Sequence, residues 1–301
     1  MKSFTQIRNL AGTLSNNSAS TNLTLMDELI NDSLRSIYSM GDWDFLEKTA
    51  TASTVASQQF YALPFDYSKL KGVTVTIGSF VYTPKEVPNR EMWDRLNESS
   101  TTSDIPEFFF IFNGQLGFFP KPSSTTSNAI TYIYRRQAPD LNIADYTTGN
   151  VSAITSGSTT VTGSGTTWTV PMANRYLRVT ATDTAGQSGD GLWYNIASVA
   201  SATSLTLSKA YNGTTITGNT AFTIGQMSFL PEEHQDLPLY RALGIYFTSV
   251  QPEMQRAQMY KQMFDDEVSK LKADHLDKTH NVVVEDMGIV MLNPNNHVTL
   301  P

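Results

Sequence analysis

The sequence predicts an α+β chain with three parts: a helical bundle assembled from both termini, a central antiparallel β domain, and a small β-sandwich inserted into that domain. Three observations predict it. Helical periodicity is concentrated in residues 22–40 and in the stretch after 235. Period-two runs of aromatic and β-branched residues fill 50–138. Residues 147–226 change to a hydroxyl-rich composition that keeps regularly placed apolar positions. The boundaries that follow are 1–49 with 227–280 for the helical hub, 50–146 for the β domain, 147–226 for the insert and 281–301 for an extended tail.

In the first helical stretch Leu25, Met26, Leu29, Ile30, Ser33, Leu34, Ile37 and Tyr38 recur on one face. Thr24 with Asp27 forms a capping-box pattern at its start, and Gly41 is placed to end it. The period then changes at Asp42-Trp43-Asp44-Phe45-Leu46.

The β region is punctuated by Pro64, Gly78, Pro84, Pro88, Pro120 and Pro122, which separate short strands. Asn113-Gly114 lies between Phe108–Phe112 and Leu116–Phe119. Both residues tolerate positive φ, so a tight hairpin is expected there. One short helix is expected near 89–96.

Of the 80 residues in 147–226, 28 are Ser or Thr and 10 are Gly, with three basic and two acidic side chains. A disordered linker would lack the spaced apolar positions that run from Val151 to Ile224. A sandwich hung from a loop requires its two ends, near Tyr146 and Gln226, to lie close together.

Helix returns at Asp236, the expected N-cap, with Pro238 in the first turn and Leu239, Leu243, Tyr246, Phe247 and Val250 on one face. Pro252 opens a longer helix with a narrow stripe of Met254, Ala257, Met263, Phe264, Val268 and Leu271. Such a stripe serves the core, a neighbouring subunit, or both, and Met254, Met263, Phe264, Val268 and Leu271 are the candidate subunit contacts. A broad apolar face on one N-terminal helix needs a partner, so the helices of the two ends should pack together.

Composition bounds the function. Charged residues make up 16% of the 301, against ~25% in an average protein, and the net charge is -7. That balance argues against gripping phosphates, although an acidic wall suits a duplex that slides past. With no cysteine, disulfides and thiolate metal sites are ruled out. Residues 1–14 lack the apolar run of a signal peptide and no stretch approaches the ~18 residues of a membrane helix, so a soluble chain is expected.

Three strings carry a family resemblance: the N-terminal helix running into a Trp-containing turn, Asp27 to Trp43; Phe60-Tyr61-Ala62-Leu63-Pro64, Pro88 to Leu96 around Trp93, and Pro106 to Pro122; and Leu230-Pro231-Glu232-Glu233 with Leu237 to Tyr246 beyond. Their order resembles the head-to-tail adaptor (connector) proteins of short-tailed bacteriophages. Residues 157–168, with Trp193 to Val199, Ser204 to Leu207 and Tyr211-Asn212-Gly213, resemble an Ig-like β module common in phage structural proteins. The resemblance implies a virion protein, one subunit of a ring, dodecameric in similar proteins, stacked between portal protein and tail nozzle or fibres with DNA passing through its centre. It also implies that the C-terminal segment docks on the portal. Alternating apolar residues there, Val282, Val284, Ile289, Met291 and Leu292, suit strand addition to a partner sheet.

Asp42, Asp44 and Glu47 read as solvated charges at a helix end, with no partnered cleft for glycoside hydrolysis. Glu232, Glu233, His234 and Asp236 resemble metal ligands, but a loop before a helix favours capping and dipole roles. His275 and His280 are five apart, a poor spacing for one helix face, and Asp265-Asp266-Glu267 is a solvated or channel-facing run. Arg135 and Arg136 beside Tyr132 and Tyr134 read as a strand rim more readily than a nucleic-acid platform. The glycines of 163–165 and 186–191 precede strand patterns and are turns, not phosphate loops. No catalytic residue, cofactor or metal is expected. The rival reading is a tail-fibre or baseplate component whose insert binds glycan through Trp168, Trp193, Tyr194 or Tyr211.

Overall fold

A computed structural model describes residues 1–99, 101–181 and 188–276. Residues 281–301, including Val282, Val284, Ile289, Met291 and Leu292, lie outside them, as does His280.

The chain starts with a helix absent from the sequence reading, α1 (Phe4–Leu14). Ser3 caps it in a full capping box: its hydroxyl accepts from Gln6 N, and Gln6 Oε1 accepts from Ser3 N. Helix α2 (Ser20–Ser39) follows. The expected Thr24–Asp27 box is interior to it. Thr24 Oγ1 donates to Ser20 O, and Asp27 pairs with Arg8 at 2.9 Å, because the helix starts a turn earlier at Ala19. Met26, Ile30, Leu34 and Ile37 form its buried stripe. Trp43 then folds back, fully buried, and donates its indole N–H to Ile37 O at 2.9 Å.

The chain leaves the helices earlier than residue 49. Strand β1 (Glu47–Ala52) already pairs with β8 (Ile130–Arg136), which pairs in turn with β3 (Tyr67–Ile77) and β4 (Phe80–Tyr82). A second four-stranded sheet joins β2 (Phe60–Ala62), β7 (Gln115–Phe119), β6 (Phe108–Phe112) and β5 (Lys85–Glu86). The two sheets share one core built on Tyr61, Val75, Leu116, Phe118, Ile130 and Tyr132. The β6–β7 hairpin turns at Asn113 and Gly114, both at positive φ (49° and 70°), as a two-residue loop with a right-handed strand twist requires.

The domain is not wholly antiparallel. Strand β5 runs parallel to β6, with Lys85 opposite Phe108, because helix α3 (Arg90–Leu96) and the following loop carry the chain back across the sheet. Asn89 caps α3 through Met92 N, and Trp93 stacks on Phe110 at 5.5 Å. Gly117 makes room for that packing. A Cβ there would sit 2.8 Å from Phe60 and 2.9 Å from Trp93.

Strands β9 (Asn150–Ile154), β10 (Thr160–Ser164), β11 (Tyr176–Val179), β12 (Trp193–Ser201), β13 (Ser204–Leu207) and β14 (Phe222–Gly225) make one six-stranded sheet. This differs from two separate stacked sheets. The first residues of β12 pair with β11 and its later ones with β13, so one bent strand serves both halves. Bridges Val151–Thr220 and Ile154–Ile216 join the far edge to the segment entering β14, curling the sheet around a single core. The unit's ends meet: Tyr146 and Ile224 exchange two backbone hydrogen bonds of 2.9 Å.

After a 3-10 turn at Glu232–His234 come α4 (Leu237–Ser249) and α5 (Met254–His275). Phe4, Ile7, Met26, Ile30, Leu34, Trp43, Leu239, Leu243, Phe247, Phe264 and Leu271 belong to one apolar cluster, so α1, α2, α4 and α5 form a single body. Val250, expected on the α4 face, is instead exposed where the helix ends. No described helix is long and apolar enough to cross a membrane.

Polar clips join the parts. The side-chain amide of Asn31 on α2 accepts from Leu141 N (2.8 Å) and donates to Leu141 O (2.9 Å). Arg136 lays its guanidinium 3.6 Å from the Phe229 ring centre and donates to Phe45 O.

Two outcomes are expected. Leu243→Ala, at the centre of the shared helical core, should cost about 2–5 kcal/mol by urea unfolding. In the β domain, Asp66 accepts from Tyr134 Oη at 2.6 Å and pairs with Lys48 at 2.7 Å. Burial opposes its charge, but these bonds prevail and hold its carboxyl below the usual value of 3.8. A depressed carboxylate contributes stability above its unfolded pKa and loses it as pH falls through the folded one. The wild-type protein should therefore lose stability on acidification below about pH 4 more steeply than Asp66→Asn, as followed by thermal melts across pH.

Candidate functional site

Among the described residues, chemistry-bearing side chains gather where the N-terminal residues meet the segment leading into α4, beside the end of α5. The first five residues act as a strap. Phe4 N donates to Gln226 O and Asp145 N to Thr5 Oγ1, while Ser3 Oγ donates to Asp145 Oδ2. Met1 O accepts the indole N–H of Trp193, and the Met1 amine pairs with Glu232. Lys2 Nζ holds both oxygens of Asp236 at 2.6 and 2.7 Å. Asp236 occupies the N-cap position of α4 but makes no side-chain cap bond, so its carboxylate serves Lys2 instead.

Beside the strap lies a cluster that spacing did not foretell. Donor atoms of Glu233, His234 and His275 all lie within 4.8 Å of one another. His234 is 3% exposed, and its Nδ1 meets Glu267 Oε1 at 2.7 Å. His275, from the last turn of α5, meets Asp44 Oδ1 through its own Nδ1 at 3.0 Å. The two rings stand edge to face with centroids 5.9 Å apart. Burial works against ionising Glu267, but bonds from Lys270 and His234 outweigh it and keep its carboxyl below the usual range. Glu267 is therefore engaged, whereas Asp265 and Asp266 are exposed. Trp43, one residue before Asp44, pairs with Leu276, so the end of α5 is fastened at this point.

The other carboxylates of the Trp43 turn form no acid–base pair. Asp42 meets Lys69 at 2.9 Å, Asp44 meets His275, and Glu47 meets Lys71 at 3.0 Å. Arg135 reaches Gly41 O and Asp42, and Arg136 covers Phe229, so both are engaged in seams. They line a cleft of about 790 Å³ with Arg35, Lys48, Asp66 and Asn174, between the helices and the two β units.

The candidate subunit contacts on α5 divide. Phe264, Val268 and Leu271 face the chain's own core and are buried, so they are not surface for a neighbour. Met254 (68% exposed) and Met263 (37%) are outward, and Met259 (47%) joins Met263 one turn away. Met254 rims a groove of about 480 Å³ between α4 and α5, lined also by Arg241, Ile245, Thr248, Lys261 and Asp265.

None of the four aromatic residues considered for glycan binding is an open platform. Trp168 and Tyr211 are buried, Tyr194 is 8% exposed, and Trp193 lies under Met1 with Arg178 over its ring at 5.4 Å. Gly163, expected in a turn, lies instead within β10 at a register shift, whereas Gly165 and Gly191 take positive φ (65° and 71°) in the loops before the 3-10 turn Val170–Met172 and before β12, so neither glycine run opens an α-helix.

A family model described as SU10 adaptor protein matches residues 2–178, more than half of the 301. No curated protein matches the chain.

Proposed function

Since the chain belongs to the SU10 adaptor protein family, a family of phage adaptors, we propose that it is a head-to-tail connector that works through its interfaces and catalyses nothing. In this reading it is one subunit of a ring that joins the portal protein to the tail nozzle or fibres, with DNA passing along the axis. The observation that carries the reading is the single helical body built from α1 and α2 together with α4 and α5. Its long helix α5 spends one face on the core and leaves Met254, Met259 and Met263 outward.

A ring closes through heterologous contacts, so each subunit needs two unlike surfaces. The α5 flank supplies one. The edge strand β4 supplies a second apolar point, with Phe80 at 70% and Val81 at 64% exposure. Flexible methionines suit a contact that forms only on assembly. The net charge of -7 and the exposed Asp265 and Asp266 suit a wall that repels the DNA backbone and lets it slide. Residues 281–301 are the portal-docking segment of this proposal, through Val282, Val284, Ile289, Met291 and Leu292.

The glycan-binding alternative would need an exposed aromatic shelf on the 147–226 unit, and the covering of Trp168, Trp193, Tyr194 and Tyr211 weighs against it.

The test is native mass spectrometry of purified protein with and without portal. The full chain should pass from monomer to one fixed multimer on portal. Deleting 281–301 should leave a folded monomer that no longer joins portal, and normal assembly of the truncated protein would remove the docking role. Met259→Lys with Met263→Lys should keep the unfolding free energy within about 1 kcal/mol of wild type, as exposed changes do, yet abolish the multimer.

A further inference from the structure

We propose that Glu233, His234 and His275 form a site for a divalent transition-metal ion of the zinc type, which clamps the end of α5 to the turn preceding α4. The inference does not depend on the adaptor reading.

His234 is the starting point. Its Nδ1 is committed to Glu267, and its Nε2 is buried with no hydrogen-bond partner among the described residues. A buried imidazole nitrogen without a partner costs free energy comparable to a lost hydrogen bond, so its orphaning calls for a ligand. His275 repeats the arrangement. Its Nδ1 is held by Asp44, and Nε2 is the nitrogen left over. A carboxylate on one ring nitrogen fixes the tautomer so that the other presents its lone pair, which is how metal-binding histidines are held. Both rings have this support from separate elements, Glu267 within α5 and Asp44 after α2.

The third donor, the Glu233 carboxylate, is exposed and adjoins His234 in sequence. Asp274 Oδ2 lies 3.9 Å from His234 Nε2, so a fourth position is open to it or to water. Two imidazoles with one or two carboxylates suit zinc and its neighbours, whereas calcium and magnesium favour oxygen alone. Donors around a tetrahedral zinc stand about 3.4 Å apart, so binding draws the present 4.8 Å cluster inward by about 1 Å. The exposed Glu233 carboxylate is free to make that movement, while His234 stays fixed in the core and His275 stays on Asp44.

A bound ion would tie residues 233–234 to 275, and through Asp44 to the Trp43 turn. That is where Leu276 meets Trp43 and the chain passes on to residue 277.

The test uses the full chain without an affinity tag, stripped with chelator and titrated with zinc chloride by calorimetry, and with cobalt(II) by visible absorption. One equivalent should bind, with cobalt d–d bands of tetrahedral intensity. His275→Ala should abolish binding while circular dichroism stays native, since this side chain is at the edge of the fold. Asp44→Asn should weaken affinity about 10–100-fold by releasing the ring it orients. His280→Ala should leave stoichiometry unchanged. No uptake by the wild-type chain would overturn the proposal, as would equal uptake by His275→Ala or uptake that requires His280.

Discussion

The architecture depends on one shared apolar core, to which the first 46 residues and the residues after 229 both contribute. Neither contribution suffices alone. The buried stripe of α2, with Met26, Ile30, Leu34 and Ile37, needs the opposing Leu239, Leu243 and Phe247 of α4, and α4 in turn needs Phe264 and Leu271 of α5. Burying a side chain of this size contributes about 1.5–3 kcal/mol, so a dozen such contacts outweigh the entropy of closing a loop of nearly 200 residues, which grows only logarithmically with length. Everything between the two helical pairs is thereby obliged to leave and return at the same place.

That obligation explains the seams. The β domain ends at Leu141 clipped to Asn31, and the 147–226 unit begins and ends at paired Tyr146 and Ile224. The N-terminal strap then binds the entry and exit of that unit and the start of α4 together through Asp145, Gln226, Glu232 and Asp236. Most of these fasteners are single hydrogen bonds or partly exposed ion pairs, each worth roughly 1 kcal/mol or less. They set relative placement, and the three apolar cores supply the stability.

Helix α5 shows how a narrow apolar stripe is divided by its neighbours. Phe264, Val268 and Leu271 are consumed by α4 and the core, Met254, Met259 and Met263 remain outward, and its last turn delivers His275 to the Trp43 turn. One helix thus packs along one face on the chain's own core, keeps three methionines outward and is anchored at its last turn.

Periodicity, punctuation and composition were enough to read α2, α4, α5, the Asn113-Gly114 hairpin, a short helix at α3, and the β character of 147–226, because each is set by residues within a few positions of one another. Helix α1 was missed: the Ser3-x-x-Gln6 box marks its start, but its short stripe of Phe4, Ile7 and Ala11 gave little periodic signal. What the tertiary structure alone decided is everything that depends on distant partners. The parallel β5–β6 pair follows from the crossover through α3 and the single curled sheet from bridges within its own unit, whereas the loss of Phe264, Val268 and Leu271 to the core and the meeting of His234 with His275 across 41 positions follow from the packing of the helices. Sequence spacing records which residues share a helix face or a strand, whereas the choice of neighbour is made by the burial of surfaces far apart in the chain.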